Sequence, residues 1–503
     1  MIRTTEEEKT FWYFGMSRPD QCLSELVARS STTAFMNDPA FVFWLERQVK
    51  VMSTVKGHKI VDSYDTHLRS RVRGILKEAA IRWLTIDVVC LGFKHEESDH
   101  PPVVLITVDI NNVDGESAQN AVDKIHELMI ENDLPDVHTE IKTGLYSEEA
   151  TYGPGDIYPL DFARVPKMGA SISVAGTGLA GSIGLFLTVN GGKYALTCHH
   201  VVSDSLETFT PTDGIEIPIL QPEEDDLERE ETALDKTIKA AQLDTKNYED
   251  EKLRASEGVG PAISKGRKLR FEMSEESEKK CSDRKAKIAE VRLQFGVVDT
   301  VSGKTKHPVN NCLRDWALIK LSDERFLDLP INILPPSHFL LQEQTVIMKI
   351  YEEDTTFPAD VLSQPLSTDI SMEEIEDVLK RSGLSDHKDK DRESMRSNRS
   401  VSCGFTAGSL NEIRSDCYNG SFETTELVVV NIPGLNNFSF RGDSGSCVVD
   451  LDGRIIGLLH HGNDEKSHSL AEMTYVTPMA WILADIKDTL QTEDVVIPVD
   501  EEV

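Results

Sequence analysis

The sequence has no long apolar run. No stretch of about 18 apolar residues occurs in the 503-residue chain, so nothing in it predicts a membrane-spanning helix. The first residues, MIRTTEEEKTFWYFGM, are acidic and polar and lack the apolar core of a secretory signal. The eight cysteines show neither the spacing of a disulfide framework nor a paired CxxC zinc motif. We therefore expect a soluble protein of a reducing compartment, in the cytoplasm or the nucleus.

Blocks of basic residues are also missing. The chain carries a formal net charge of −33, and no run of Lys and Arg offsets it. Such a charge opposes binding to phosphate backbones and to anionic lipid, so we expect no nucleic-acid partner and no membrane partner. The length is enough for about two to four domains, each able to bury a core of its own.

Residues 1–155 have the strand and helix patterns of an α/β domain. Two runs rich in Val and Ile, RWLTIDVVCLGF and PPVVLITVDI, predict strands. The segment DGESAQNAVDKIHELMIENDL has apolar residues at helical spacing, and VHTEIKTGLY completes a β-β-α-β unit. A further helix is predicted around Asp38 to Met52. We expect this part of the chain to be an accessory domain.

From about Pro159 the chain changes to short strand patterns separated by glycine turns. The segment GLAGSIGLFLTVNGGKYALTCHHVV has a hairpin signal at Gly191-Gly192, and CVVDLDGRIIGLLHH has another at Asp452-Gly453. These features predict an all-β region, either a barrel or a sandwich. PMAWILADIKDTL predicts a final helix, which is followed by an acidic tail at 491–503.

Two charged stretches interrupt the β-rich region. Residues 222–292 carry an apolar stripe at helical spacing, with a second helical segment from about Phe271. This stretch is either a solvated helical insertion or an arm that binds a protein partner, and the N-terminal domain is the other candidate for partner binding. Residues 366–400 contain SMEEIEDVLKRSG, which predicts a helix, and then DHKDKDRESMRSNRS, which predicts a mobile loop.

Three short motifs carry residues that could perform chemistry. Ser444 lies in GDSGS, where a serine is either a nucleophile or an ordinary turn residue. A nucleophilic serine needs an imidazole to take its proton and a buried carboxylate to orient that imidazole. The strand YALTCHHVV contains His199 and His200, and Asp315 precedes the apolar run WALIKL. Taken singly, each histidine could be structural and Asp315 could face solvent.

Together the three motifs resemble the chymotrypsin-like serine endopeptidases, the trypsin-like family with two β-barrels. ALTCHHVV is similar to that family's Leu-Thr-x-x-His segment, DWALIKL to its Asp-x-Ala-Leu-x-x-Leu segment and GDSGS to its nucleophile loop. GFTAGSLNEI, DGRIIGLLHHG and YVTPMAWILADI resemble neighbouring strands and the closing helix. The resemblance covers about 159–490 without the two insertions. It implies a first barrel over 159–335 and a second over 336–490.

The resemblance assigns roles residue by residue. It places the base at His200, its orienting acid at Asp315 and the nucleophile at Ser444, and it leaves His199 as a structural neighbour. The backbone N–H groups of Gly442 and Ser444 would form the oxyanion hole. The substrate pocket would be lined by Phe438, Ser439, His460, His461 and Gly462. None of these is acidic, so a preference for Lys or Arg is not expected; the pocket either hydrogen-bonds Glu or Gln or is simply apolar.

The sequence departs from secreted members of that family in two respects. No Arg-Ile-Val-Gly-Gly-like site precedes GASISVAGTG, so activation by a new N-terminus that pairs with Asp443 is not expected. Val201 and Phe440 stand where family disulfides have cysteines. Five residues are candidate zinc ligands, but no carboxylate and no CxxC spacing accompanies them, so we expect no metal and no other cofactor. These candidates are Cys198, His199, His200, His460 and His461.

The sequence thus predicts a serine endopeptidase that hydrolyses peptide bonds of proteins or peptides through an acyl-enzyme. The alternative is a latent or catalytically silent protease-like scaffold that acts in protein-protein interaction. A third interpretation, compatible with the first, is an enzyme that processes itself or is activated by a partner. Self-cleavage would then fall at 386–400 or at the junction near 153–165.

Overall fold

The structure is a computed structural model in which most of the chain is described. The described residues are 5–16, 24–33, 35, 49–55, 57–93, 100–109, 113–148, 166–203, 216–222, 224–288, 294–330, 332, 394–398, 405–432, 437–440, 442–450, 454–463 and 472–498. The junction near 153–165 and most of the predicted mobile loop lie outside these ranges.

The N-terminal part of the chain forms a mixed sheet with helices packed on it. Its elements are α1 (Glu6–Phe11), β1 (Leu26–Arg29), β2 (Lys50–Ser53), α2 (Ile60–Ser63), a π-helical turn (Tyr64–Leu68), α3 (Arg69–Glu78), β3 (Trp83–Phe93), β4 (Pro102–Val108), α4 (Gly115–Glu131), β5 (His138–Thr143) and β6 (Ser147–Glu148). The strand order is β1-β5-β4-β3, and β2 pairs with β3. The helix predicted around Asp38 to Met52 is therefore wrong at its end, because β2 takes its backbone hydrogen bonds from β3.

Helix α4 connects two parallel strands. Asp114 caps its N-terminus by accepting the backbone N–H of Ser117. One face of α4 buries Val122, Ile125 and Met129 in the core of this part. β4 precedes the helix in the chain and β5 follows it, and the two strands pair in parallel, as a crossover connection allows. The end of β5 then leads into β6, which pairs with a strand of the C-terminal region.

Strands dominate the rest of the chain. The middle region contains β7 (Ser171–Val174), β8 (Ala180–Ser182), β9 (Leu185–Val189), β10 (Gly192–Thr197), α5 (His199–Val202), β11 (Pro218–Leu220), α6 (Glu224–Ser256), α7 (Lys265–Ile288), β12 (Gln294–Val301), β13 (Thr305–Lys306), β14 (Leu313–Arg314) and β15 (Ala317–Leu321). The C-terminal region contains β16 (Ser394–Asn398), β17 (Phe405–Leu410), β18 (Ser415–Tyr418), β19 (Glu423–Asn431), β20 (Cys447–Val449), β21 (Ile455–Gly462), β22 (Met473–Pro478), α8 (Met479–Leu490) and β23 (Val495–Val496).

Two large sheets carry these strands, so the chain is mostly β. One sheet has the order β23-β9-β10-β15-β12-β11-β7-β8. The other continues from β3 through β18-β19-β17-β16-β20-β21-β22, and β19 also pairs with β22. The first sheet has β23 at one edge and β8 at the other, so the described pairings do not close the barrel predicted over 159–335. The middle and C-terminal regions share one hydrophobic core, which includes Phe186, Leu318 and Leu458.

The charged insertion is a pair of long helices. α6 and α7 pack side by side, and Tyr248 stacks on Phe271 with ring centroids 4.2 Å apart. Ion pairs such as Lys285 with Asp235, at 2.5 Å, cross between the helices at their exposed faces. The second helix begins at Lys265, one and a half turns before the predicted start. No helix within the described ranges is both long enough and apolar enough to cross a membrane.

The N-terminal part and the C-terminal region share one sheet, because β3 pairs with β18. Buried charges accompany this pairing. Arg69 and Arg73 donate to the fully buried carboxylate of Asp416 at 2.5 and 2.6 Å. Lys142 of β5 forms a second buried pair with Glu472, also at 2.5 Å. We call this contact region, formed by α3, β3, β5, β18 and Glu472, the joint.

Two stretches differ from their predictions. The predicted mobile loop at 366–400 contains β16, which pairs with β17 and β20. Its sequence, SMRSN, gives little sign of a strand, because the strand depends on neighbours that supply backbone hydrogen bonds. The predicted acidic tail at 491–503 contains β23, which pairs with β9, and Ile497 is buried in the core. Both strands depend on pairing with partners that are distant in the chain.

Candidate active site

Strand pairing brings the first two motifs together. The apolar end of β10 is buried between β9 and β15. Thr197 of β10 lies opposite Ala317 of β15, so the residues just beyond each of them leave the sheet side by side. These residues are His199 and His200 on one strand and Asp315 on the other. The backbone N–H of His199 donates to the carbonyl of Asp315 at 3.2 Å, which fixes the turn into α5.

His200 lies between Asp315 and Ser444. Its Nδ1 is 2.6 Å from Oδ2 of Asp315, and its Nε2 is 2.8 Å from Oγ of Ser444. The backbone N–H of His200 also donates to Oδ1 of Asp315 at 3.0 Å, so both carboxylate oxygens hold the same residue. With the Nδ1 proton directed at the carboxylate, Nε2 is the acceptor for the Ser444 hydroxyl. This is the arrangement that an activated serine requires.

All three side chains are buried. Ser444 is 0% exposed, His200 4% and Asp315 5%. Burial by itself raises the pKa of Asp315, but the charge and hydrogen bond of His200, with the charge of Lys304, outweigh it and hold this pKa well below its usual range. Asp315 is therefore a carboxylate, which can stabilise an imidazolium beside it. A substrate can reach Oγ of Ser444 only after the groups that cover it move.

Ser444 lies in a tight loop that two glycines permit. Gly442 and Gly445 have φ of +95° and +89°, a region that residues with a Cβ rarely adopt. A Cβ on Gly445 would lie 2.3 Å from Oγ1 of Thr197, so the loop packs directly against β10. Ser182 of β8 donates its backbone N–H to the carbonyl of Ser444 and its hydroxyl to the carbonyl of Gly442, at 2.8 and 2.9 Å. The loop is thereby held against the middle sheet.

Asp443 shapes the same loop. Its carboxylate accepts the backbone N–H of Phe440 at 2.8 Å, and its own N–H donates to the carbonyl of Phe440 at 3.1 Å. No acceptor for the backbone N–H of Ser444 is found among the described residues. That N–H is available to a developing oxyanion. The oxyanion hole of Gly442 and Ser444 stays a prediction.

The predicted pocket residues do not all lie in one place. Phe438 is fully buried in a core cluster with Val429, and its ring packs against Gly408. It is a core residue of the C-terminal region. Ser439, next in the chain, hydrogen-bonds the Oγ1 of Thr474 at 2.5 Å, and both hydroxyls are buried. This pair would give the predicted pocket a polar side.

Strand β21 brings two other predicted pocket residues, His460 and His461, close to His200 and Ser444. The carbonyl oxygen of His460 is 3.2 Å from Oγ of Ser444. The single hydroxyl proton of Ser444 can be donated to this oxygen or to Nε2 of His200, and the shorter distance favours His200. The ring of His461 lies 5.6 Å from the ring of His200. The Nδ1 atoms of His460 and His461 are 2.8 Å apart, so one carries a proton and the other accepts it.

His461 is covered by a residue of the N-terminal part. Tyr146, between β5 and β6, stacks on the imidazole with ring centroids 4.5 Å apart and planes 10° apart. Burial lowers the pKa of His461 well below its usual range, and the charges of His460, Lys304 and His200 lower it further. Sequence reasoning missed Tyr146, because it only ends the extended run VHTEIKTGLY and no local pattern marks it.

Cys198, His200 and Asp315 lie close enough to hold a metal ion, with candidate ligand atoms within 4.8 Å of one another. Zinc would need the thiolate of Cys198. Burial, together with the charge of Asp315, raises the pKa of that thiol well above its usual range, and Sγ donates to the carbonyl of Leu459 at 3.2 Å. Because this thiol stays protonated, the three residues fit a hydrogen-bonded pair of His200 and Asp315 better than a metal site.

Comparisons with known proteins give little beyond this geometry. No family model matches the sequence, and no curated protein matches it. Among solved structures, a glutamic acid-specific serine protease, described as using a histidine triad in substrate binding, is 10% identical with a TM-score of 0.30. That likeness covers 66% of this chain and 100% of the other. An alpha-lytic protease homologue, N4, is 10% identical with a TM-score of 0.28, over 64% of this chain and 96% of the other. Scores this low do not establish a shared fold.

Proposed function

We propose that the protein is a serine endopeptidase of the chymotrypsin-like, trypsin-like family. The observation that carries the proposal is the position of His200, with one ring nitrogen 2.6 Å from the carboxylate of Asp315 and the other 2.8 Å from Oγ of Ser444. A serine with only a turn role has no need of a buried imidazole and carboxylate in line. The pairings that link β19, β17, β16, β20, β21 and β22 in a ring support the proposed second barrel.

The reaction follows from the same geometry. Nε2 of His200 takes the hydroxyl proton as Oγ of Ser444 attacks the carbonyl carbon of a peptide bond. Asp315 stabilises the imidazolium, and backbone N–H groups of the Gly442 to Ser444 loop receive the oxyanion. The imidazolium then protonates the leaving amine as the C–N bond breaks, which leaves an acyl-enzyme. Water, deprotonated by His200, hydrolyses the ester and releases the second product.

The proposed substrates are proteins and peptides, with a polar side chain before the cleaved bond. The buried hydroxyls of Ser439 and Thr474 and the imidazole of His461 can hydrogen-bond a Glu or Gln side chain. The alternative is an apolar pocket. Profiling a peptide library distinguishes the two, because Glu or Gln at that position supports the polar pocket and an apolar winner overturns it.

The second candidate function is a latent scaffold that binds protein partners through the N-terminal part or the α6–α7 insertion. One observation favours it, namely that Oγ of Ser444 belongs to a side chain with no exposed surface. Self-processing, or activation by a partner, would reconcile latency with an intact triad. Intact-mass measurement tests self-processing, since a chain that is cleaved in wild type and whole after Ser444→Ala supports it. An uncut active enzyme contradicts it.

The proposed chemistry is tested with a small ester, which needs little of the substrate cleft. With p-nitrophenyl acetate, we expect a burst of one nitrophenolate per chain, because the acyl-enzyme forms faster than it is hydrolysed. Ser444→Ala and His200→Ala should each abolish the burst in protein that remains folded by circular dichroism. A folded wild type without a burst would contradict the endopeptidase and favour the scaffold.

A further inference from the structure

β6 lies on the edge of β21 that faces the nucleophile. Glu148 pairs with His461, and Ser147 pairs with Gly462. The opposite edge of β21 is occupied by β22 from Gly457 to Gly462. A strand has only two edges for backbone pairing, so β6 takes the remaining one. Earlier along the same edge of β21, Gly445 of the Ser444 loop donates its backbone N–H to the carbonyl of Leu459.

The direction of β6 matches that of a bound substrate. The pairing is antiparallel, so Ser147 lies opposite Gly462, and the next residue, Glu148, lies opposite His461. The next residue of β21 is His460, whose carbonyl oxygen is 3.2 Å from Oγ of Ser444. In a peptide placed for attack, the residues that precede the attacked carbonyl approach the serine in this direction. β6 therefore points toward the nucleophile as the acyl half of a substrate must.

The segment that leads into β6 is anchored at two points. Tyr146 stacks on His461 and makes an edge contact with Tyr475, with ring centroids 5.4 Å apart. Four residues before Tyr146, Lys142 forms its buried pair with Glu472 in the joint. A strand tethered in this way acts at an effective concentration on the order of millimolar. A free peptide at micromolar concentration competes poorly with such a strand.

We propose that Tyr146–Glu148, which we call the cleft strand, is an internal inhibitor of this protein. It occupies the edge of β21 on which the acyl half of an extended peptide binds by strand addition, and a substrate must displace it. The inference rests on the proposed function, since it names the regulation of that same site.

The direct test measures binding without turnover. In the Ser444→Ala background, a fluorescein-labelled peptide with the sequence of residues 144–149, GLYSEE, is titrated against the full chain by fluorescence anisotropy. Adding Ser147→Pro and Glu148→Pro removes both backbone N–H groups of β6, one of which points to β21, because successive residues of a strand point to opposite edges. We expect this variant to bind the peptide about tenfold tighter or more than the background does.

The matched control is Ser147→Ala with Glu148→Ala, which changes the same side chains and keeps the backbone donors. It should bind the peptide as weakly as the background. Tyr146→Ala, which removes the stacking on His461 and no backbone group, should give an intermediate affinity. Equal affinity in the proline and alanine variants overturns the proposal, and so does the absence of peptide binding in the proline variant.

A second readout separates this inference from the proposed function. With Ser444 intact, the proline variant should hydrolyse extended peptides about tenfold faster than wild type at low substrate concentration, with an unchanged ester burst amplitude. A normal burst with no gain on peptides overturns the cleft strand and leaves the endopeptidase standing. Loss of the burst with tighter peptide binding in the proline variant overturns the endopeptidase and leaves the cleft strand standing.

Discussion

The candidate active site and the joint each bury an aspartate with a shifted pKa, Asp315 in the first and Asp87 in the second, and the two shifts are opposite. In the candidate active site, His200 and Lys304 outweigh burial, so the pKa of Asp315 lies well below its usual range. In the joint, burial raises the pKa of Asp87 to about 6, although the nearby hydroxyls of Ser415, Thr85 and Tyr475 and the charge of Lys142 oppose the rise. A neighbouring cation, more than burial, decides whether the carboxyl group is charged.

Under the proposed function, the difference separates a site of chemistry from a site of packing. The candidate active site keeps a buried charge next to an imidazole, and desolvating that charge has a cost. The joint holds two kinds of acid, since Asp416 is paired with two arginines while Asp87 has only neutral hydrogen-bond donors in contact. Substitutions of Asp315, Asp416 and Asp87 therefore test three different quantities, namely the catalytic rate, the stability and the pH dependence of the stability.

Asp315→Asn should have the largest effect of the three, on catalysis. The new amide would donate to Nδ1 of His200 and favour the tautomer with a proton on Nε2, which cannot accept the Ser444 proton. We expect the acylation rate with p-nitrophenyl acetate to fall about 10⁴-fold. Asp87→Asn, the same change at a buried aspartate of the joint, is the matched control and should keep the rate. Asp315→Asn with more than a tenth of wild-type activity contradicts the assignment.

Asp416→Ala should have the next largest effect, on stability. It removes the buried carboxylate that Arg69 and Arg73 share. Breaking a buried pair typically costs about 3 to 5 kcal/mol, and we expect the lower end of that range because Arg69 keeps Asp65 and Arg73 keeps Glu423 as partners. We expect the first unfolding transition in urea to move to clearly lower concentration. Glu131→Ala, which removes an exposed partner of Arg71 in the same helix α3, should leave the transition where it is. Similar midpoints for both variants would show that the joint does not depend on this pair.

Asp87 should contribute the smallest of these effects, as a pH dependence. Because its pKa in the folded protein, about 6, is above the ordinary value of 3.8, folding favours the neutral acid. Its stabilisation is present at low pH and is lost as the pH rises through about 6. Between pH 5 and 8, wild type should lose about 1 to 2 kcal/mol more stability than Asp87→Asn. Parallel losses in urea melts of the two proteins would contradict the raised pKa.

The sequence was most informative where a residue sits at the end of a strong strand pattern. His200, Asp315 and Ser444 are separated by 115 and 244 residues along the chain, measured from His200, yet their motifs identify all three. The apolar strands β10 and β15 have clear local patterns, and their register then sets His200 beside Asp315.

The sequence was least informative at edges and contacts between distant parts. β6 is two residues long and has no pattern of its own, and β16 and β23 lie in stretches whose composition favours loop. The pair of Arg69 with Asp416 joins residues 347 apart, and nothing near either residue indicates the other. Such pairing depends on which backbone groups the folded neighbours leave open, which a local sequence window does not contain.

The most direct test of the account is mass spectrometry after reaction with a fluorophosphonate. It should be applied to wild type, to the Ser147→Pro and Glu148→Pro variant, and to each of them with Ser444→Ala. We predict one adduct per chain, located on Ser444, formed faster in the proline variant and absent from both Ser444→Ala proteins. Folded proteins that carry no adduct on Ser444, in wild type and proline variant alike, would contradict the claim that His200 and Asp315 activate this serine.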